Sequence, residues 1–240
     1  EGPYVELEFW NFDILFQAQD HPAREVHDTF WLKEPSRGEL PAIELVERVR
    51  RVHEVGGSCG SKGWGYKWSE EIARRLILRT QTTSVSARYL VKNRKPPVKA
   101  FSISKVFRPD TIDSKHLPEF YQFEGIIMDE DITFRDLLGV VKEFFQQLGI
   151  EKVRFRPSYF PFTEPSVEGY IYHPEIGWVE CFGAGMFRPE VLEALGVEYP
   201  VAAWGMGIGR IAMIFLGIED IRNLYSKDIK FLREFPLLKV

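Results

Sequence analysis

Cysteine is nearly absent. Cys59 and Cys181 are the only two in 240 residues, far apart and in no CxxC pair. That spacing excludes a disulfide framework and a zinc knuckle, and it points to a reducing compartment, the cytoplasm. A surplus of positive charge is also lacking. With 31 Lys+Arg against 35 Asp+Glu the net charge is −4, so no overall basic field advertises nucleic acid, and any RNA contact has to be local or shared with a partner. The chain opens Glu1-Gly2-Pro3 with neither Met nor a charged-then-apolar leader, and so reads as a fragment without a signal peptide. Repeats and interdomain linkers are missing too. Residues 1–240, 45% hydrophobic, are expected to form one domain with a sizeable core. Long apolar runs are limited to residues 200–218, where Arg210 is the single charge. An arginine at mid-span costs roughly 2.5–3.5 kcal/mol on insertion scales, and Gly205, Gly207 and Gly209 interrupt any continuous helix. A buried strand, a glycine turn and a helix are expected there, and no membrane.

What is present is periodic. Phe134, Leu137, Leu138, Val141, Phe144, Phe145 and Leu148 recur at three-and-four spacing between a Thr133 cap and Gly149, which predicts a helix over 133–148. Further helices are expected over 41–55, 83–91, 189–195 and from 209 onward. Alternation predicts strands over 99–107, 120–128 and 153–160, and a hairpin of 169–172 with 178–182 through a turn at 173–177. Strands and helices do not alternate regularly, so the expected class is α+β, an antiparallel sheet flanked by helices. The glycines of residues 56–65 read as a flexible insertion loop.

Three segments carry candidate chemistry. Arg108 closes a strand before a polar loop containing Asp110; a planar guanidinium there suits a phosphate or carboxylate, and an ordinary surface salt bridge is the alternative. Arg210 is a lone charge in apolar company and needs a partner, either a polyphosphate or a carboxylate such as Glu180 or Glu219. A dinucleotide fingerprint fits poorly, because the glycines run G-x-G-x-G with no parallel βαβ unit around them. Phe160 and Phe162, with the small residues Gly183, Ala184 and Gly185, could line a flat apolar slot or could be plain core.

Together these segments resemble class II aminoacyl-tRNA synthetases, and within them the phenylalanyl α-subunit of archaeal and eukaryotic type. Phe107-Arg108 and the following loop match motif 2; residues 205–213 match motif 3, with Arg210 as its arginine. Residues 21–32, 79–83, 120–125 and 160–165, and the Gly183-Ala184-Gly185 turn, are similar to phenylalanyl signatures, and residues 63–68 to the archaeal and eukaryotic branch. Asp110 stands where Glu is usual and Thr80-Gln81-Thr82 where Thr-His-Thr is common. By the same resemblance, this sequence is expected to begin just after the family's motif 1 helix, with most of that helix and any N-terminal extension outside it.

The resemblance implies a class II synthetase-like fold and ATP-dependent activation of L-phenylalanine, followed by transfer to tRNA(Phe), with Mg²⁺ as cofactor and a β-subunit completing an α₂β₂ assembly. It assigns Arg108 to the α-phosphate and substrate carboxylate, Arg210 to the terminal phosphate, and Asp110, Phe120 and Glu180 to the nucleotide. Gln122 and Glu124 go to the ammonium with Thr83 and His27 nearby, Phe160, Phe162, Ala184 and Phe187 to the ring pocket, where Ala184→Gly should admit para-substituted analogues, and Gln81 and Phe123 also to the phenylalanine substrate. Glu164 is assigned to the metal. Glu124 as a structural ion-pair member and Phe187 as core are the bland alternatives. A pocket for a charged amino acid such as phosphoserine fits poorly with these aromatic and small residues. A non-catalytic binding protein fits poorly with the retained arginines.

Overall fold

The computed structural model describes residues 2–173 and 177–235. Its strands are β1 (Val5–Leu7), β2 (Leu76–Leu78), β3 (Val98–Phe107), β4 (Glu119–Met128), β5 (Val153–Pro157), β6 (Thr163–His173), β7 (Gly177–Phe187) and β8 (Val201–Gly207). The helices are α1 (Glu8–Asn11), α2 (Ile43–Val55), α3 (Glu70–Ala73), α4 (Thr83–Lys92), α5 (Phe134–Gln147), α6 (Pro189–Leu195), α7 (Ile208–Leu216) and α8 (Ile229–Glu234). Six strands form one antiparallel sheet in the order β3-β4-β8-β7-β6-β5, while β1 and β2 pair separately. No helix among the described residues is long and apolar enough to cross a membrane.

Period-two alternation gives the large sheet two faces. On one, α5 packs Leu137, Val141 and Phe145 onto Val167, Ile171, Phe182, Ala184, Ala202 and Met206. This helix starts where its sequence says, with Thr133 and Asp136 forming a reciprocal capping box. On the other face, Val98, Ile126, Met128, Val201 and Ala203 join a cluster with α2, α6 and residues 7–16. The functional cavity opens on this second face, between the sheet and the N-terminal loops.

Four expectations change. The predicted strand over 153–160 ends at Pro157, and Phe160 keeps only an isolated bridge to Thr163; Pro157 and Pro161 lack the N–H that a ladder needs. Gly183-Ala184-Gly185 is no turn but the middle of β7, which with β6 extends well beyond the predicted hairpin. Its glycines serve close approach: a Cβ on Gly183 would stand 2.6 Å from the Phe160 ring, and one on Gly185 2.6 Å from Thr163. The expected glycine turn near residue 207 is likewise absent, since β8 passes directly into α7. Residues 56–65 are packed rather than a free insertion. Gly56 is left-handed with φ 82°, Trp64 N–H donates to His53 O at 2.7 Å, and the Trp64 ring stacks on Phe16 at 4.9 Å. The turn expected at 173–177 lies largely outside the described residues.

Residues 8–24 form one wall of the cavity, held by a buried ionic cluster. Arg24 donates to Glu8 at 2.9 Å and to Asp13 at 2.8 Å, all three side chains being almost wholly buried. Arg24→Ala should leave the Asp13 carboxylate buried without a cation, while Glu8 keeps Arg75 at 2.8 Å, a loss of roughly 3–5 kcal/mol. At roughly 2–4 °C per kcal/mol for a chain of this size, thermal unfolding should show a clear fall in Tm. An unchanged melting curve would show that the cluster contributes nothing net.

Candidate active site

The cavity has a volume of about 520 Å³, within the range of small-molecule sites. It gathers residues from stretches far apart in sequence. Arg108, Asp110 and His116 come from β3 and the loop after it, Phe120, Gln122 and Glu124 from β4, and Gln81 and Thr83 from the start of α4. Phe160 and Phe162 precede β6, Glu180 to Gly185 lie on β7, Ala203 and Gly205 on β8, and Arg210 on α7.

Arg108 follows β3 directly, so its backbone is held by the sheet. Its Nε donates to Thr80 O at 3.1 Å and its guanidinium lies 5.4 Å from the Phe120 ring centre. The surrounding protein pushes its pKa below the usual arginine value, with Asp110 opposing and Arg210 reinforcing the shift. The side chain still reaches solvent through the cavity mouth, and a delocalised guanidinium keeps its charge there. Arg210, in the first turn of α7, donates from Nη1 to Glu180 O at 2.9 Å and stands 3.8 Å from the Glu180 carboxylate. Its Nη2 lies 3.4 Å from His116 Nε2, and His116 Nδ1 lies 3.0 Å from Asp113. With Nδ1–H pointing at Asp113, Nε2 is the acceptor for Arg210. The carboxylate neighbour of Arg210 is thus Glu180, in a long, solvent-exposed contact that leaves the guanidinium available to an anion. Two guanidinium groups in one cavity, with no carboxylate in tight contact, make an anion site.

Glu124 faces the same space from β4 and is 2% exposed. Its Oε1 accepts from Ser86 Oγ at 2.7 Å; its Oε2 accepts from Thr83 Oγ1 at 2.7 Å, Thr82 Oγ1 at 3.1 Å and Gln122 Nε2 at 3.3 Å. Burial raises its pKa to about 7 against these hydrogen bonds and the more distant positive charge of Arg79. All four direct partners are neutral donors, so the carboxylate is oriented but not neutralised, the arrangement expected where a cationic group docks. Gly205 makes room for the Gln122 side chain: a Cβ there would come within 2.5 Å of Gln122 Nε2.

The remaining expected residues divide. Gln81, Thr83, Gln122, Asp110, Phe120, Glu180, Phe160 and Phe162 line the cavity with the two arginines and Glu124. Gln81 is held by donating to Asn11 O at 3.0 Å. His27 is exposed and outside the lining; the histidine of its segment that reaches the cavity is His21, whose Nδ1 is 3.0 Å from Gln17 Nε2 and accepts from Ala23 N–H at 3.1 Å. Phe187 is 4% exposed within the helical core. Phe123 points to the α5 face, against Phe144 and Trp204. Ala184 borders the cavity through its backbone strand, but its methyl belongs to the cluster beneath α5, whereas Ala203, opposite Gly185, belongs to the cluster on the cavity face. The alanine whose side chain faces the cavity is therefore Ala203, which the strand's alternation could have offered had its facing been known.

Glu164 is exposed and outside the lining, and no group of three or more His, Cys, Asp or Glu that could hold a metal occurs among the described residues. The side chains present do not compose a resident metal site. Magnesium commonly binds through one or two carboxylates and substrate phosphates, and here it would arrive with a nucleotide.

The family model for tRNA synthetases class II core domain (F) matches residues 1–235. The chain belongs to this family. Within the class II core-domain family it is 58% identical, over 98% of its length, to a phenylalanine–tRNA ligase alpha subunit of Methanopyrus kandleri, covering 45% of that protein. It is 54% identical over its whole length to the corresponding subunit of Archaeoglobus fulgidus, covering 50% of it. The chain therefore spans about half the length of the curated relatives it matches. The solved structure of pyrrolysyl-tRNA synthetase from Desulfitobacterium hafniense shares the fold, with a TM-score of 0.62 at 14% identity over 95% of this chain and 66% of the other. The expected α+β class, an antiparallel sheet flanked by helices, is the fold found.

Proposed function

We propose that the chain is the catalytic core of a phenylalanine–tRNA ligase, working as one domain in the cytoplasm with a second, β-type subunit. The single observation that carries this reading is the company one cavity keeps: the guanidinium groups of Arg108 and Arg210, the buried Glu124 carboxylate with only neutral partners, and the rings of Phe160 and Phe162. A zwitterionic aromatic amino acid carries the complementary set of groups: a carboxylate, an ammonium and an apolar ring. The Glu124 carboxylate takes the ammonium group and Gln122 and Thr83 orient it, while Phe160 and Phe162 flank the ring. Arg108 bridges the substrate carboxylate and the α-phosphate of ATP, so that two anions can approach, and Arg210 holds the far phosphates. An oxygen of the carboxylate then attacks the α-phosphorus in line as the bond to pyrophosphate breaks. A terminal ribose hydroxyl of tRNA displaces AMP in the second step. The protein contributes positioning and charge neutralisation and forms no covalent bond to the substrate itself.

The test is phenylalanine-dependent ATP–pyrophosphate exchange by the chain assembled with its partner subunit. Turnover with phenylalanine and not with charged amino acids is expected. Silence of the assembled protein would favour a binding protein without activation chemistry.

Ala203 sets the pocket's depth in this reading. Ala203→Gly should raise kcat/KM for para-chlorophenylalanine relative to phenylalanine roughly 10–200-fold, the range for a small change of pocket volume. Ala184→Gly, whose methyl lies on the opposite face, should leave that ratio within about twofold. The same exchange assay with both amino acids distinguishes them, and equal effects of the two variants would refute the facing argument.

A further inference from the structure

The cavity face of the sheet does not stop at the cavity. It continues over β7, β6 and β5, where the register sets Trp178 opposite Tyr172, Glu180 opposite Tyr170, and Tyr170 opposite Arg154. Because Val153, Phe155, Ile171 and Val179 pack beneath α5, Lys152, Arg154, Arg156, Tyr172 and Trp178 must share the face that carries Glu180. The Arg154 guanidinium lies 4.2 Å over the Trp178 ring and the Lys152 ammonium 4.6 Å over Tyr172; the two rings meet edge to face at 5.5 Å. Both rings are 37% exposed. Two carboxylates on this face are engaged within the described residues: Glu168 accepts from Ser158 and Tyr170, and Glu180 stands by Arg210. The contacts that Lys152 and Arg154 make among the described residues are with rings.

We propose that this face carries the single-stranded 3′ end of the RNA acceptor into the cavity, with unpaired bases stacking on Trp178 and Tyr172 and phosphates pairing with Lys152, Arg154 and Arg156. The inference rests on the reading of the chain as a tRNA ligase and assigns that partner a surface. Its first support is charge: a chain of net −4 has no general field for a polyanion, so cations gathered on one face are where RNA can be held. Its second is the interleaving of exposed aromatics with those cations, the composition of platforms for unpaired nucleotides; a duplex hides its bases from such rings. Its third is continuity. Trp178 is two residues from Glu180 on the same strand and face, roughly 7 Å away, and β5 lies two strand spacings, roughly 10 Å, beyond β7. A strand leaving the anion site along this face meets these rings next.

The experiment uses the assembled protein with its partner subunit and compares ATP–pyrophosphate exchange, which needs no RNA, with aminoacylation of tRNA. Trp178→Ala and Arg154→Ala should each leave exchange within about twofold of the parent. Trp178→Ala should lower kcat/KM for tRNA roughly 5–150-fold, the range for loss of one stacked base, and Trp178→Phe should restore most of it. Arg154→Ala should make the fall of log kcat/KM with log salt shallower by about 0.7, one phosphate contact to a single strand. Unchanged aminoacylation in both variants would overturn the proposal. So would variants whose only defect is dissociation of the subunits, since the face would then belong to a protein contact. If the parent shows no exchange, the ligase reading fails first and this inference falls with it.

Discussion

Arg108→Ala lowers phenylalanine-dependent exchange roughly 10³–10⁵-fold, the range measured for arginines that stabilise phosphoryl-transfer charge. The magnitude follows from its position. In the proposed mechanism Arg108 stands where two anions have to meet; its place just after a strand is fixed by the sheet, with Nε tied to Thr80 O at 3.1 Å and the outer nitrogens left to the cavity. Removing it restores repulsion between carboxylate and phosphate at the moment of attack, in a site where charge is poorly screened. Arg108→Lys keeps the charge but not the planar fork and recovers only part of the activity. Because the proposed mechanism has the residue act on the reacting groups, the loss should fall on kcat as well as on kcat/KM. An Arg108→Ala enzyme within tenfold of the parent, with unchanged melting temperature, would remove this residue from the mechanism.

Glu124→Gln should raise the Kd for phenylalanine roughly 30- to 4000-fold, corresponding to the roughly 2–5 kcal/mol lost when one member of a buried charge pair is neutralised. The amide keeps the shape and some hydrogen bonds, so the loss reports charge. A pH dependence accompanies it. Burial holds the Glu124 carboxyl at about 7 in the empty protein, above the ordinary carboxylate value of 4.5. Between those two values the folded protein keeps a proton that the unfolded chain has released. The contribution of Glu124 to stability is therefore fully present below pH 4.5 and declines as pH rises through about 7. Binding of an ammonium has the opposite dependence, since it requires the ionised form. Below about pH 7 phenylalanine binding should release a proton from Glu124, and affinity should weaken up to tenfold per pH unit. Calorimetry in buffers of different ionisation enthalpy measures that release directly. Proton uptake near pH 6, or release that persists in Glu124→Gln, would contradict the assignment.

Much of this architecture was legible in the chain itself. The helix over 134–147 announces both its ends through Thr133 and its apolar period, and α6 is bounded by Pro189 and Gly196 as expected. Such features depend on neighbours three or four residues away, so a linear reading captures them. The two arginines were legible for another reason: each is a charge at the end of an apolar strand or glycine run, and such a charge needs a purpose.

Facing was not legible. Whether an alanine in β7 or β8 looks into the cavity depends on register, and one extra residue reverses it. The pairing of β6 with β7 slips between Gly169 and Tyr170, so that Cys181 and Phe182 both turn toward α5. A strict alternation counted along β7 therefore fails across that point. His21 and His27 present the same difficulty in a loop, where Gln17 and Ala23 hold the first toward the cavity and the second stays in solvent.

By itself the sequence determined the residue chemistry, the local periodicity and the absence of a diffuse basic field, because these reside in single side chains and short windows. Only the tertiary structure decided that Arg108 and Arg210 share one cavity and that Glu124 takes its hydrogen bonds from Thr82, Thr83 and Ser86, some forty residues away. It also decided that Lys152 and Arg154 stand with Trp178 on the same face. The reason is physical: charge and solvation act through space, and the distances that set them exist only once the sheet has closed its register.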